Sequence, residues 1–222
     1  MDNVKMLETG VSKVPLLLSP SLEPQREKLE EILIKAQRRL REFAIKFHWE
    51  KHIRESFMIR AEIFDSQEKF IEALLRLLQI EGDVDLPKTV SASLEEKVFM
   101  SISPQLYDTI FPEGIETDSF EKLITHELAH CLHVRILDGE EEKMGPIWFF
   151  EGFAIFAAGQ FINDTSKPTN LWEIVERERR GSYLQYGRVF GYFVDKIPLR
   201  ELIRQSCKDN FIEWLKQKEE ME

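Results

Sequence analysis

Thr125-His126-Glu127-Leu128-Ala129-His130 sets two imidazoles and a carboxylate in the spacing His-Glu-x-x-His. On a helix, residues i and i+4 share one face a turn apart. His126 and His130 can therefore grip one metal ion from the same side, and Glu127 can reach a water on that ion. A hydrolytic zinc centre built this way needs a third protein ligand and an open fourth position. A histidine six residues beyond His130 would supply one, but that position is Ile136. His133 lies three residues beyond His130 and reads as a partly exposed helix residue rather than a ligand. Glu151 is the stronger candidate, because it stands alone in the apolar run Ile147-Trp-Phe-Phe-Glu-Gly-Phe-Ala-Ile-Phe-Ala-Ala158. Burying a lone carboxylate is costly, and no Lys or Arg lies between Lys143 and Lys167 to pair with it locally. A metal ion removes that cost, unless Glu151 sits at a solvent-facing helix edge.

The elements that must hold these residues follow from hydrophobic periodicity. Leu29, Ile32, Leu33, Ala36, Leu40, Phe43, Ala44 and Phe47 form the apolar stripe of a helix over Gln25–Phe47. Phe57–Phe64 alternates as a strand, and Val98–Ser103 reads as another. Asp65 with Glu68 resembles a capping box for a helix over Phe70–Leu78, and Glu81–Pro87 is turn-like. Beyond Gly114 the pattern is helical. Asp118 with Glu121 opens a helix from about Ser119 to Leu137, which carries the two histidines. The acidic run Glu140–Glu142 reads as a solvated loop. Pro146 starts the Glu151 helix, expected to reach Phe161. Further helices are expected near Trp172–Arg180, Tyr183–Lys196, Leu199–Cys207 and Phe211–Lys218. The expected organisation is a flexible arm over residues 1–24 and a single domain over 25–222. That domain has a small α/β lobe with a mixed sheet (25–115), then a mainly helical lobe (116–222), an α+β fold.

Composition narrows the partners. The 222-residue chain carries a formal net charge of −10, which opposes nucleic-acid binding. It has no dense Lys/Arg block for an acidic lipid surface, and no membrane is expected as a partner. Its two cysteines, Cys131 and Cys207, read as free thiols rather than a disulfide framework. Met1–Glu8 is acidic and Val14–Leu18 is short and interrupted by proline, so the N-terminus does not read as a signal peptide. The cytoplasm is the expected compartment.

The two segments His126-Glu127-x-x-His130 and Trp148-Phe149-x-Glu151-Gly152-x-Ala154 together resemble the gluzincin zinc metallopeptidases, most closely the peptidase MA-like branch. In that branch the third ligand lies in a helix about twenty residues on, and Glu151 follows His130 by twenty-one. The match covers residues 120–160 well and 183–194 more loosely. The resemblance implies a thermolysin-like zincin fold and one zinc ion per chain held by His126, His130 and Glu151. It also implies Glu127 as the catalytic base and a peptide or protein as substrate. It implies a tyrosine supporting the oxyanion: Tyr183, with Tyr186 as the alternative. An edge strand before the active helix would pair with substrate backbone, and Lys97–Ser103 is the segment expected there. The Gly-x-Met-Glu-Asn segment of related aminopeptidases is absent, and Ile155 stands where thermolysin-type enzymes carry an acidic partner for a zinc histidine. Two other readings compete: a non-catalytic zinc-containing binding or structural protein, and a zinc hydrolase acting on something other than peptides.

Overall fold

The computed structural model describes residue 11 and residues 13–82, 89–177 and 179–220. The chain forms two compact units, one running to Leu128 and one starting at Ala129, and the division falls within a continuous helix. The architecture is mixed α and β, mainly helical, with a small mixed sheet.

The first unit holds strands β1 (Leu16–Leu18), β2 (Arg60–Phe64), β3 (Ala92–Glu95) and β4 (Val98–Ile102). Its helices are α1 (Arg26–Lys46), α2 (Gln67–Leu77), α3 (Pro104–Ile110) and the first half of α4 (Ser119–Ile136). The sheet order is β1-β2-β4-β3, with β1, β2 and β4 parallel and β3 antiparallel to β4. A tight turn joins β3 to β4, with Glu96 and Lys97 both in the left-handed region at φ 50° and 61°. The periodic elements fall where their patterns place them. Leu29, Leu33, Ala36, Leu40 and Ala44 of α1 are buried, and Ala61 and Ile63 of β2 point inward between half-buried neighbours. An ion pair from Arg39 Nε to Glu121 Oε1 (2.7 Å) ties α1 to the helix that carries the histidines.

Several expectations change here. Leu16–Leu18 is a strand paired with β2, so the arm expected over 1–24 does not extend through it; residues 1–10 and 12 lie outside the described residues. Most of the turn expected over 81–87 also lies outside them. The N-cap of α2 is Ser66, whose Oγ accepts the Lys69 N–H (3.3 Å). Asp65 instead pairs with Lys69 Nζ (2.7 Å). The segment 97–103 is not an edge. β4 lies between β2 and β3 and is buried along its whole length, so both its edges are already hydrogen-bonded. The outer strand on that side, among the described residues, is β3. Ala92–Glu95 is too short and too weakly alternating to announce itself.

The second unit contains the rest of α4, then α5 (Ile147–Ala158), α6 (Leu171–Val175), α7 (Tyr183–Lys196), α8 (Leu199–Ser206) and α9 (Phe211–Glu220). Trp148, Phe149 and Phe153 are buried in a ring cluster with Phe190, Phe193 and Phe211, so most of the apolar face of α5 is core. Gly159, in the left-handed region at φ 68°, ends α5 before Phe161 is reached. α6 stops at Val175, so Arg177, Arg179 and Arg180 lie outside the helix expected there. Neither Cys131 nor Cys207 is in a disulfide among the described residues.

Gly152 shows how tightly α5 meets α7. A Cβ there would lie 2.6 Å from Phe190 Cβ and 2.9 Å from its ring. Gly152→Ala gains about 1 kcal/mol of helix propensity, but it forces apart two packed helices at a cost of about 1–3 kcal/mol. The second effect should win, and chemical denaturation should show a less stable protein. An unchanged midpoint would mean that the helices separate freely at this point.

Candidate metal centre

His126 and His130 lie one turn apart on α4, and Glu151 lies in the first half of α5. One ligand atom from each of the three comes within 4.8 Å of the others. His126 and Glu151 are buried and His130 is half-buried. His130 Nε2 stands 3.6 Å from Glu151 Oε2. That is too long for a hydrogen bond. It is close to the roughly 3.3 Å edge of a tetrahedron whose nitrogen and oxygen ligands lie about 2.0–2.1 Å from a metal. Two imidazoles and one carboxylate form a donor set that can hold a metal ion. The residues singled out as ligands are thus brought together.

Glu151 is only 2% exposed, yet its charge has a partner that sequence proximity did not reveal. Arg180 Nη1 lies 2.6 Å from Glu151 Oε1. No cation was expected from the neighbouring sequence, and none comes from it: the partner arrives from twenty-nine residues downstream, so a metal ion is not the sole compensation for this carboxylate. The two carboxylate oxygens divide the work, Oε1 facing Arg180 and Oε2 facing His130.

The same Arg180 Nη1 donates to Tyr183 Oη (2.6 Å), so Tyr183 is linked to Glu151 through the guanidinium. Tyr186 is placed differently. It is buried, and its hydroxyl accepts the Gly181 N–H at the entry to α7. Burial, above all, pushes its phenol pKa up. Ser182 Oγ caps the same helix by accepting the Gln185 N–H. Tyr186 thus anchors this turn, and of the two tyrosines Tyr183 is the one linked, through Arg180, to the Glu151 carboxylate.

Glu127 is half-buried on α4. In the same unit, Tyr107 of α3 is buried, and burial first, then the negative charge of Glu127, pushes its phenol pKa up. Tyr107 stays protonated near Glu127. Neither it nor Arg180 was legible in the sequence, because neither stands in a spacing that refers to the histidines.

His133 is not the partly exposed residue expected. It is 0% exposed, stacked on Phe153 with ring centroids 4.5 Å apart, and neither ring nitrogen has a hydrogen-bond partner among the described residues. Burial first, and then His130, push its pKa down to about 3, so the folded ring is neutral. In the unfolded chain the pKa returns to about 6.5, and between these values the unfolded state binds the extra proton. The stability that comes from a neutral His133 is complete above about pH 6.5. It is lost as pH falls toward 3, at up to about 1.4 kcal/mol per pH unit. His133→Leu should therefore be the more stable protein at pH 7, by about 1 kcal/mol, since two unsatisfied polar atoms are removed. Its advantage should widen in denaturation curves taken down to pH 4. A gap constant with pH would contradict the neutral buried ring.

No family model matches the chain, and no curated protein or solved structure is significantly similar to it. No described helix is long and apolar enough to cross a membrane.

Proposed function

We propose that the protein is a zinc-dependent peptidase of the gluzincin type, with His126, His130 and Glu151 as the metal ligands and Glu127 as the general base. The observation that carries this reading is the convergence of the three ligand atoms within 4.8 Å, from two sequence segments that resemble the family's paired motifs. Each motif alone is short, and their meeting at one point is the stronger support. The sheet favours the zincin fold as well: three parallel strands with an antiparallel outer strand, β3, precede the His-Glu-x-x-His helix. β3 takes the role first expected of 97–103, offering its outer edge to an extended peptide.

His126, His130 and Glu151 would hold the zinc, which would supply Lewis acidity and make a water at the centre more acidic. Glu127 takes the proton as water attacks the scissile carbonyl and gives it to the leaving amine. Tyr183 donates a hydrogen bond to the oxyanion, steadied by Arg180.

Reloading purified protein with zinc and counting metal by atomic spectroscopy tests the ligand set, with about one ion per chain expected. Release of new amino termini from a mixed peptide library then tests the reaction. Bound zinc with no new amino termini from peptides and no acid released from esters would support the non-catalytic reading. Hydrolysis of esters alone, read as released acid, would support a hydrolase of other substrates. No zinc would remove the proposal.

A further inference from the structure

We infer that Arg180 forms a recognition site for a carboxylate on the ligand that enters the metal centre. This rests on the metal reading above and adds a substrate class to it. Both contacts of Arg180, to Glu151 Oε1 and to Tyr183 Oη, each 2.6 Å, are made by the same nitrogen, Nη1. Its Nε and Nη2 donate to no group among the described residues. The guanidinium is thus fixed at one corner while the paired N–H groups of its fork remain available. That fork matches the two oxygens of a carboxylate, and its orientation is already set before a ligand arrives.

Exposure agrees with this division. The Arg180 side chain is 52% exposed, whereas the carboxylate it touches is almost wholly buried. Half of the Arg180 side chain is thus open to a ligand arriving from solvent. Its neighbours in the chain carry both signs, Arg177 and Arg179 alternating with Glu176 and Glu178. Arg177 and Arg179 are exposed in the same short segment; Arg177 pairs with Glu173 at 2.9 Å, and Arg179 has no ion pair among the described residues. Because Glu151 shares its single negative charge between Arg180 and the metal position, a loaded centre carries surplus positive charge. A ligand carboxylate on Arg180 offsets it. The carboxylate can come from a peptide C-terminus or from an Asp or Glu side chain.

Four hydroxamates separate these sources, the hydroxamate chelating the metal in each. They are acetohydroxamate, and succinyl hydroxamates extended by leucine with a free acid, by leucine amide, and by aspartate amide. Their affinities are measured by calorimetry on zinc-loaded full-length protein and on Arg180→Met, with Arg180→Gln as a second variant should the first fail to fold. At least one carboxylate probe should bind about tenfold more tightly than leucine amide. That advantage over leucine amide, taken within each protein, should shrink to within about twofold in the variant, with acetohydroxamate reporting whatever the lost contacts to Glu151 and Tyr183 do to the metal centre itself. A winning leucine acid identifies a C-terminal carboxylate, and a winning aspartate amide an acidic side chain. If wild type fails to bind acetohydroxamate, the metal reading itself falls and this inference with it. If acetohydroxamate binds but no carboxylate probe gains, or the gain survives loss of Arg180, carboxylate recognition is overturned and the metal reading stands. Weaker acetohydroxamate binding in the variant, with the carboxylate gain retained, assigns Arg180 to positioning Glu151 alone and likewise overturns it.

Discussion

Zinc-loaded Glu127→Gln should keep its metal and lose peptide hydrolysis by about 10²–10⁴-fold, the usual contribution of a positioned acid–base group. Glutamine keeps the shape and polarity of the side chain but cannot accept a proton at neutral pH. Glu127 is not among the three clustered ligands, so the donor set is untouched. It is half-buried on a helix whose neighbours Leu123, Ile124 and Leu128 are fully packed, so an isosteric change should not disturb the mount. Steady-state kcat/KM on a cleaved peptide, with zinc counted on the same sample, makes the measurement. A loss smaller than tenfold with zinc retained would end the assignment of Glu127 as base.

Glu151→Ala should have the opposite signature, loss of metal ahead of loss of chemistry. Removing a supporting hydrogen-bond partner of a metal ligand costs about 10–100-fold in affinity. Removing one of three ligands should exceed that, and competition with a chelator of known affinity should show a loss of more than about a hundredfold. The ion pair with Arg180 makes this the discriminating experiment. Were Glu151 only the buried partner of Arg180, its loss would disturb stability while leaving zinc affinity within a few-fold. Circular dichroism and a thermal melt of the same variant separate the two outcomes. Arg180 itself tolerates the change, because half of its side chain is already in water.

Much of the candidate metal centre could be read from residue order, for a local reason. The i, i+4 geometry of a helix holds wherever the helix sits, so His126 and His130 were bound to share a face once Ser119–Ile136 was helical. Glu151 stood out by a local contrast, one carboxylate within an apolar run. The long periodic helices were legible on the same principle: α1 and α7 lie within a residue of their expected limits. Local patterns also misled. Asp65 looked like the cap of α2, and Ser66, one residue on, has the backbone geometry to be it.

What only the tertiary structure decided are the pairings between residues far apart in the chain. The strand expected at a sheet edge became an inner strand, because the four residues of β3 lie against it in a register that no periodicity predicts. His133 was expected to be partly exposed, and it is fully enclosed against Phe153, since α5 covers that side of α4. The partner of Glu151 was sought among its sequence neighbours and came instead from Arg180, beyond the end of α6. A helix determines which side chains share a face. Which charge meets that face depends on how separate elements pack, and electrostatic attraction acts on distance in space, not along the chain.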